Sequence, residues 1–255
     1  MTVSVLVKIV LTPLLIAVAT LVGRRWGPGL SGWLAGFPLT SGPVSVFLAL
    51  EQGPEFAARA AGGTLLGLLS MATFCLVYAR LAHRASWLAS AAAGLGAFAI
   101  CTLLLEHVAL PGLAAFAVVS VGLGVIAAAM PTTVAPMRTR ASPPWDLPIR
   151  MAVAAGLVLL LTSLAAWLGP SLSGLLSPVP AFALILAAFA HRTQGPGAAA
   201  QLLRAVVIGS FAFAAFFLVV GTGLTQVGLA ATYGLAALAS LAVNGLALAV
   251  VRRGL

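Results

Sequence analysis

The sequence predicts an all-α polytopic membrane protein with about nine transmembrane helices, arranged as two inverted four-helix repeats joined by one extra helix. Three observations predict it. Hydrophobic residues fill 62% of the 255 positions and charged residues 7%, where a soluble domain carries roughly a quarter charged. Apolar stretches near the roughly 20 residues that cross a hydrocarbon core recur along the whole chain. A phrase from the first half also returns in the second half at a constant offset.

The apolar stretches run 3–22, 30–50, 57–79, 86–105, 112–130, 149–168, 172–190, 198–220 and 224–250. Glu106, His107, Pro111 and Gly112 separate the fourth from the fifth. The last stretch, at about 40 Å of helix, is too short to cross twice and reads as one tilted span. The connections alternate in charge. Arg24 and Arg25 follow the first span, Arg80, His83 and Arg84 the third, Arg138, Arg140 and Arg150 the fifth, His191, Arg192 and Arg204 the seventh, and Arg252 and Arg253 the ninth. The second and fourth connections carry Glu51, Glu55 and Arg59, then Glu106 and His107; the sixth and eighth carry no charge. Basic residues accumulate on the cytoplasmic side, so the N-terminus is expected outside and the C-terminus in the cytoplasm. The same distribution accounts for the net charge of +9 by topology, and no nucleic-acid surface is expected. Residues 1–7 lack the basic segment of a secretory signal, so the first span is expected to stay.

Gly27 to Pro38 reads GPGLSGWLAGFP and Gly169 to Pro180 reads GPSLSGLLSPVP, an offset of 169 − 27 = 142. At that offset Gln52-Gly53-Pro54 meets Gln194-Gly195-Pro196, Gly67 meets Gly209, Phe74 meets Phe216 and Lys8 meets Arg150. One ungapped offset over this length reads as a duplication. The first span then corresponds to the sixth, five crossings later, and an odd number of crossings turns the second copy upside down. Residues 1–110 form the first membrane repeat, 111–148 the linking fifth span with a cytoplasmic loop, and 149–255 the second, inverted repeat.

Gly36, Pro38, Gly42 and Pro43 interrupt the second span. Proline removes a backbone donor and clashes with the preceding turn, and carbonyls freed at membrane depth must find partners inside the protein or in a water-filled cavity. Inverted repeats with interrupted helices at matching positions are the pattern of secondary transporters, whose sites lie where the two breaks meet. The candidate substrate-binding residues are therefore Gly36, Pro38, Thr40, Ser41, Gly42 and Pro43, with Ser177, Pro178 and Pro180 from the second copy; Ser45 brings a further hydroxyl to that depth. The competing reading is a pair of Pro-kinked packing helices. Lys8 and Arg150 read as charges snorkelling to the interface. Glu106 and His107 read as a solvated loop, Glu55 and Arg59 as a surface pair, and Gly63 to Gly67 and Gly221 to Thr225 as close helix packing. Phe211, Phe213, Phe216 and Phe217 read as lipid or helix contacts.

Cys75 and Cys101 sit in apolar segments and signal neither a disulfide framework nor a metal site. There is no intramembrane carboxylate pair, zinc motif, nucleophile elbow or phosphate loop, so no enzyme, cofactor or metal is expected. The expected function is a permease moving a small neutral or amphipathic solute through a midplane site between the two interrupted helices, with the lipid bilayer and a small molecule as its partners. The alternative is a non-transporting accessory or assembly protein of envelope or lipid metabolism.

In the second half, Leu172-Ser173-Gly174-Leu175-Leu176, then Pro180-Ala181-Phe182-Ala183-Leu184-Ile185 and Gln194-Gly195, resembles the GlpM-like bacterial inner-membrane proteins, which are small single-unit proteins. The likeness covers 172–220. The first copy keeps Phe37-Pro38 but has Leu39-Thr40-Ser41-Gly42 in place of the Phe-Ala-Leu part, and Val179 stands where the family has Phe. The resemblance implies a multi-pass protein of the bacterial inner membrane and supplies no substrate or catalytic residue.

Overall fold

The computed structural model describes residues 3–35, 38, 41–108, 110–132, 147–149, 151–153, 156 and 180–253. The sixth span for the most part, the beginning of the seventh and nearly all of the linker lie outside the described residues. So do Gly36, Thr40, Ser177 and Pro178. Among the described residues the extended elements are all helical: α1 (Val3–Trp26), α2 (Pro28–Ala35), α3 (Ser41–Gln52), α4 (Pro54–Leu81), α5 (Trp87–Leu105), α6 (Gly112–Ala129), α7 (Ala181–Gln194), α8 (Pro196–Gly223) and α9 (Leu229–Arg253).

Five of them are long and apolar enough to cross a membrane, namely α4, α5, α6, α8 and the Leu229–Leu246 part of α9. The described residues thus give an α-helical polytopic membrane protein but not nine such helices. One physical reason is the second span. It is two helices of 8 and 12 residues, about 12 and 18 Å long at 1.5 Å per residue, and neither alone crosses a core of about 30 Å.

The two 28-residue helices α4 and α8 form the centre. Their most apolar windows are 61% and 67% buried, against 28%, 17% and 22% for α5, α6 and α9. The peripheral helices instead turn Ile100, Leu103, Leu113, Val121, Val125, Leu238 and Leu246 outward, an apolar exterior suited to lipid. Helices in lipid gain little from hydrophobic burial against each other, so close packing through small residues matters more. Gly221 of α8 accordingly packs on Ala61 and the Ala58 carbonyl of α4, and Gly94 of α5 lies against the Phe74 ring of α4. Gly32 brings α2 onto the backbone of α8 at Leu202. The small residue Gly221 has the packing role that its sequence context suggests.

These contacts also fix direction. Gly221, near the end of α8, meets Ala61, near the start of α4, while Tyr78, near the end of α4, meets His191, just before α8 begins. Helices α4 and α8 therefore run antiparallel. Arg80 donates to the Ala129 carbonyl and Arg204 to the Ala127 carbonyl, which puts the end of α6 beside the end of α4 and the first half of α8. Gly29 of α2 lies near Gln201, so the end of α1, with Arg24 and Arg25, joins the same side. One end of the bundle thus collects Arg24, Arg25, Arg80, His83, Arg84, His191, Arg192 and Arg204. The opposite end carries Glu55, Arg59, Glu106 and His107.

Helix boundaries recur at the sequence offset of 142. Helices α4 and α8 are equally long and follow Gly53 and Gly195, with φ of 91° and 102° and extended ψ of 161° and 174°. Only glycine adopts that region readily, and the proline after it is preorganised for the first helical position. Helices α3 and α7 end at Gln52 and Gln194, and α5 and α9 begin at Trp87 and Leu229. The halves interlock, with α2 packed on α8, α5 on α7 and α3 on α9.

Candidate functional site

The described part of the interrupted second span is Pro38 together with the helices on either side of it. Pro38 is buried and non-helical, and its carbonyl accepts the Gly42 N–H at 2.9 Å, which starts α3. At the corresponding place in the second copy the Pro180 carbonyl accepts the Leu184 N–H at 2.6 Å and starts α7. Each proline therefore supplies the first acceptor of the helix that follows it. Of the predicted site residues, Pro38, Ser41 and Gly42 lie together and are buried, and Pro180 is buried at its equivalent position. Pro43 opens α3 with them. Gly36, Thr40, Ser177 and Pro178 lie outside the described residues, so the meeting of the two breaks does too.

The neighbourhood of Gly42 is aromatic and hydroxylic. The Phe216 ring lies 3.3 Å from where a Cβ on Gly42 would stand, so a side chain there would require the ring to shift by a few tenths of an ångström. Three residues along α3, the Ser45 hydroxyl is 2.7 Å from the Tyr233 hydroxyl of α9, whose ring lies 6.1 Å from that of Phe216. At the sequence offset of 142 the places of Ser45 and Tyr233 are taken by Ala187 and Ala91, both buried, so the hydroxyl pair has no polar counterpart at those positions. Elsewhere on the first half of the interrupted span, Trp33 of α2 has its indole N–H buried without a hydrogen-bond partner. Buried donors are usually satisfied, and Leu175 stands at its place in the second copy. Sequence reasoning missed the roles of Trp33 and Tyr233. The signal that could have found them is the comparison of the two copies for places where only one is polar.

A cleft of about 690 Å³ opens at the end opposite the basic one, bounded by α4, α5, α6, α8 and the loop before α6. Its walls are apolar, including Phe56, Leu65, Leu66, Leu105 and Leu110, while Arg59 and Glu106 bring one charge of each sign. Arg59 is 3.9 Å from Glu55, an exposed pair of the kind worth little by itself. Phe217 is one of the lining residues on α8. The cleft does not coincide with the interrupted helix where a cavity was expected.

At the basic end the Tyr78 hydroxyl is 3.4 Å from His191 Nδ1, and the rings meet edge-on at 6.0 Å. Partial burial, with the nearby His83 adding to it, holds the His191 pKa below its ordinary value of 6.5. The folded state therefore disfavours the imidazolium. Its contribution to stability is fully present above the ordinary value and is lost as pH falls through the depressed one. The thermal midpoint of the detergent-solubilised protein is expected to drop as pH is lowered from 7 to 5, and less steeply in His191→Gln. Equal slopes in the two proteins would remove His191 from the acid response.

Among the described residues no group of three His, Cys, Asp or Glu side chains is placed to hold a metal ion. No protein-family model matches the chain, and neither a curated protein nor a solved structure shows significant similarity to it.

Proposed function

We propose that the chain is a permease of the bacterial inner membrane, a nine-span protein of two inverted repeats related to the GlpM-like proteins, which moves a small neutral or amphipathic solute. The observation that carries the reading is the antiparallel pairing of α4 and α8, which are the same helix of the two copies at the offset of 142. Copies whose equivalent helices run in opposite directions are what an in-plane pseudo-two-fold produces. The interrupted helix beside this pair, the hydroxyls of Ser41, Ser45 and Tyr233, and the absence of acidic residues from the apolar segments favour an uncharged or zwitterionic solute over a multivalent cation. Uptake of labelled neutral and zwitterionic amphiphiles into proteoliposomes tests the reading; no uptake of any member of a broad panel by folded, inserted protein would count against it.

The gathering of basic side chains at one end supports an outside N-terminus and a cytoplasmic C-terminus. A reporter fused after Arg253 is expected to read out cytoplasm, and a periplasmic signal would reverse the topology. A second reading, a non-transporting accessory protein, is favoured by one observation: the described cleft lies at the bundle's end and is lined by interhelical surface, where a partner or lipid would dock. Coupled loss of a lipid or polysaccharide modification on deletion, with no solute flux, would select it.

A further inference from the structure

A pair of rings links the cleft to the interrupted helix. Phe217, which lines the cleft, stacks on Phe213 with centroids 4.8 Å apart and meets Phe216 edge-on at 5.2 Å. Phe216 faces Gly42 on the other side and adjoins Tyr233, whose hydroxyl is paired with Ser45. Both phenylalanines are buried in the core. Contacts therefore run without a gap from the open cleft through Phe217 and Phe216 to Gly42 and the hydroxyl pair.

We propose that the cleft is the outer binding site of a solute path leading to Ser41, Ser45 and Tyr233, and that Phe216 and Phe217 close this path in the present conformation. The inference rests on the permease reading and deepens it by naming the solute class. The cleft offers apolar walls with a single guanidinium and a single carboxylate, Arg59 and Glu106, which suits a molecule with an apolar body and an uncharged or zwitterionic head. Gly42 is the seat of the closing ring, which lies 3.3 Å from where its Cβ would stand.

The test is the accessibility of Ser41→Cys to a membrane-impermeant methanethiosulfonate added outside intact cells, in full-length protein with Cys75→Ala and Cys101→Ala. With both rings present, labelling is expected to be slow. Phe217→Ala or Phe216→Ala is expected to speed it at least tenfold. Phe74→Ala, the same truncation at the place of Phe216 in the other copy, is expected to leave it slow. Since truncating a buried phenylalanine leaves a cavity that can unfold the protein, Phe216→Leu and Phe217→Leu are included as milder openings with intermediate rates, each checked for a monodisperse elution profile. Rapid labelling with both rings intact, slow labelling in every folded ring variant, or equal acceleration by Phe74→Ala would each overturn the proposal. The readout needs no solute. A path that opens in a protein moving no solute would sink the permease reading alone, and a transporting protein whose Ser41→Cys stays unlabelled would sink the path alone.

Discussion

Thr40→Val combined with Ser41→Ala is expected to abolish solute uptake while the protein stays inserted and folded. Ser41 is buried beside Pro38 and Gly42, and Thr40 precedes it in sequence at the interruption. Both substitutions keep side-chain size close to the original and remove only hydroxyls, so a bound polar group loses its hydrogen bonds and finds nothing in their place. A site built to bond a solute hydroxyl or amine can discriminate by ~10⁴-fold or more through such unpaired groups. Uptake is measured in proteoliposomes with the solute identified from the panel, alongside elution profile and helicity. Tyr233→Phe, which breaks the hydroxyl pair with Ser45 at 2.7 Å, is expected to weaken uptake without ending it. Unchanged flux in the Thr40, Ser41 double variant would move the site elsewhere and favour the packing reading of the interrupted helix.

The largest effect on stability is expected at Gly32. A Cβ there would collide with the Leu202 carbonyl oxygen and stand 2.9 Å from its carbonyl carbon and 3.1 Å from the Ala205 Cβ. A backbone carbonyl in a helix cannot rotate away as a flexible side chain can, so α2 must leave α8 to make room. Overpacking commonly costs about 1–3 kcal/mol, and Gly32→Leu is expected at or above the upper end. Gly96→Ala is the control. Nothing lies within 4 Å of a Cβ at that position, and alanine is favoured over glycine in a helix by up to about 1 kcal/mol, so it should be neutral or slightly stabilising. Thermal unfolding in detergent distinguishes the two, and a Gly32→Leu protein as stable as the parent would mean that α2 is not seated on α8.

Much of this organisation is legible in the chain because it is written in local terms. Continuous apolarity over about 20 residues has few outcomes other than a spanning helix or a buried one, and α4, α5, α6, α8 and α9 fall where the apolar stretches do. The Gly-Pro pairs at 53–54 and 195–196 dictate a backbone corner and a helix start on their own, and the offset of 142 relates the two. Proline's missing donor and ring clash weaken a helix wherever it stands, yet α1 runs through Pro13 while α2 stops at Ala35, short of Pro38, so the residue marks a candidate break and its surroundings decide it.

What tertiary structure alone decided is which side chains meet. Ser45 and Tyr233 are 188 positions apart and Tyr78 and His191 are 113 apart; no periodicity within one helix encodes either pair, since each depends on how two helices are rotated about their own axes. The same holds for Phe216 and Phe217. Read along the chain they are apolar residues fit for lipid or for a neighbouring helix, and packing alone sets the Phe216 ring beside Gly42 and Tyr233. In a bundle where nearly every surface is apolar, composition does not distinguish the lipid face from the core. Only the shape of small residues against large ones, settled when all helices pack together, makes that choice.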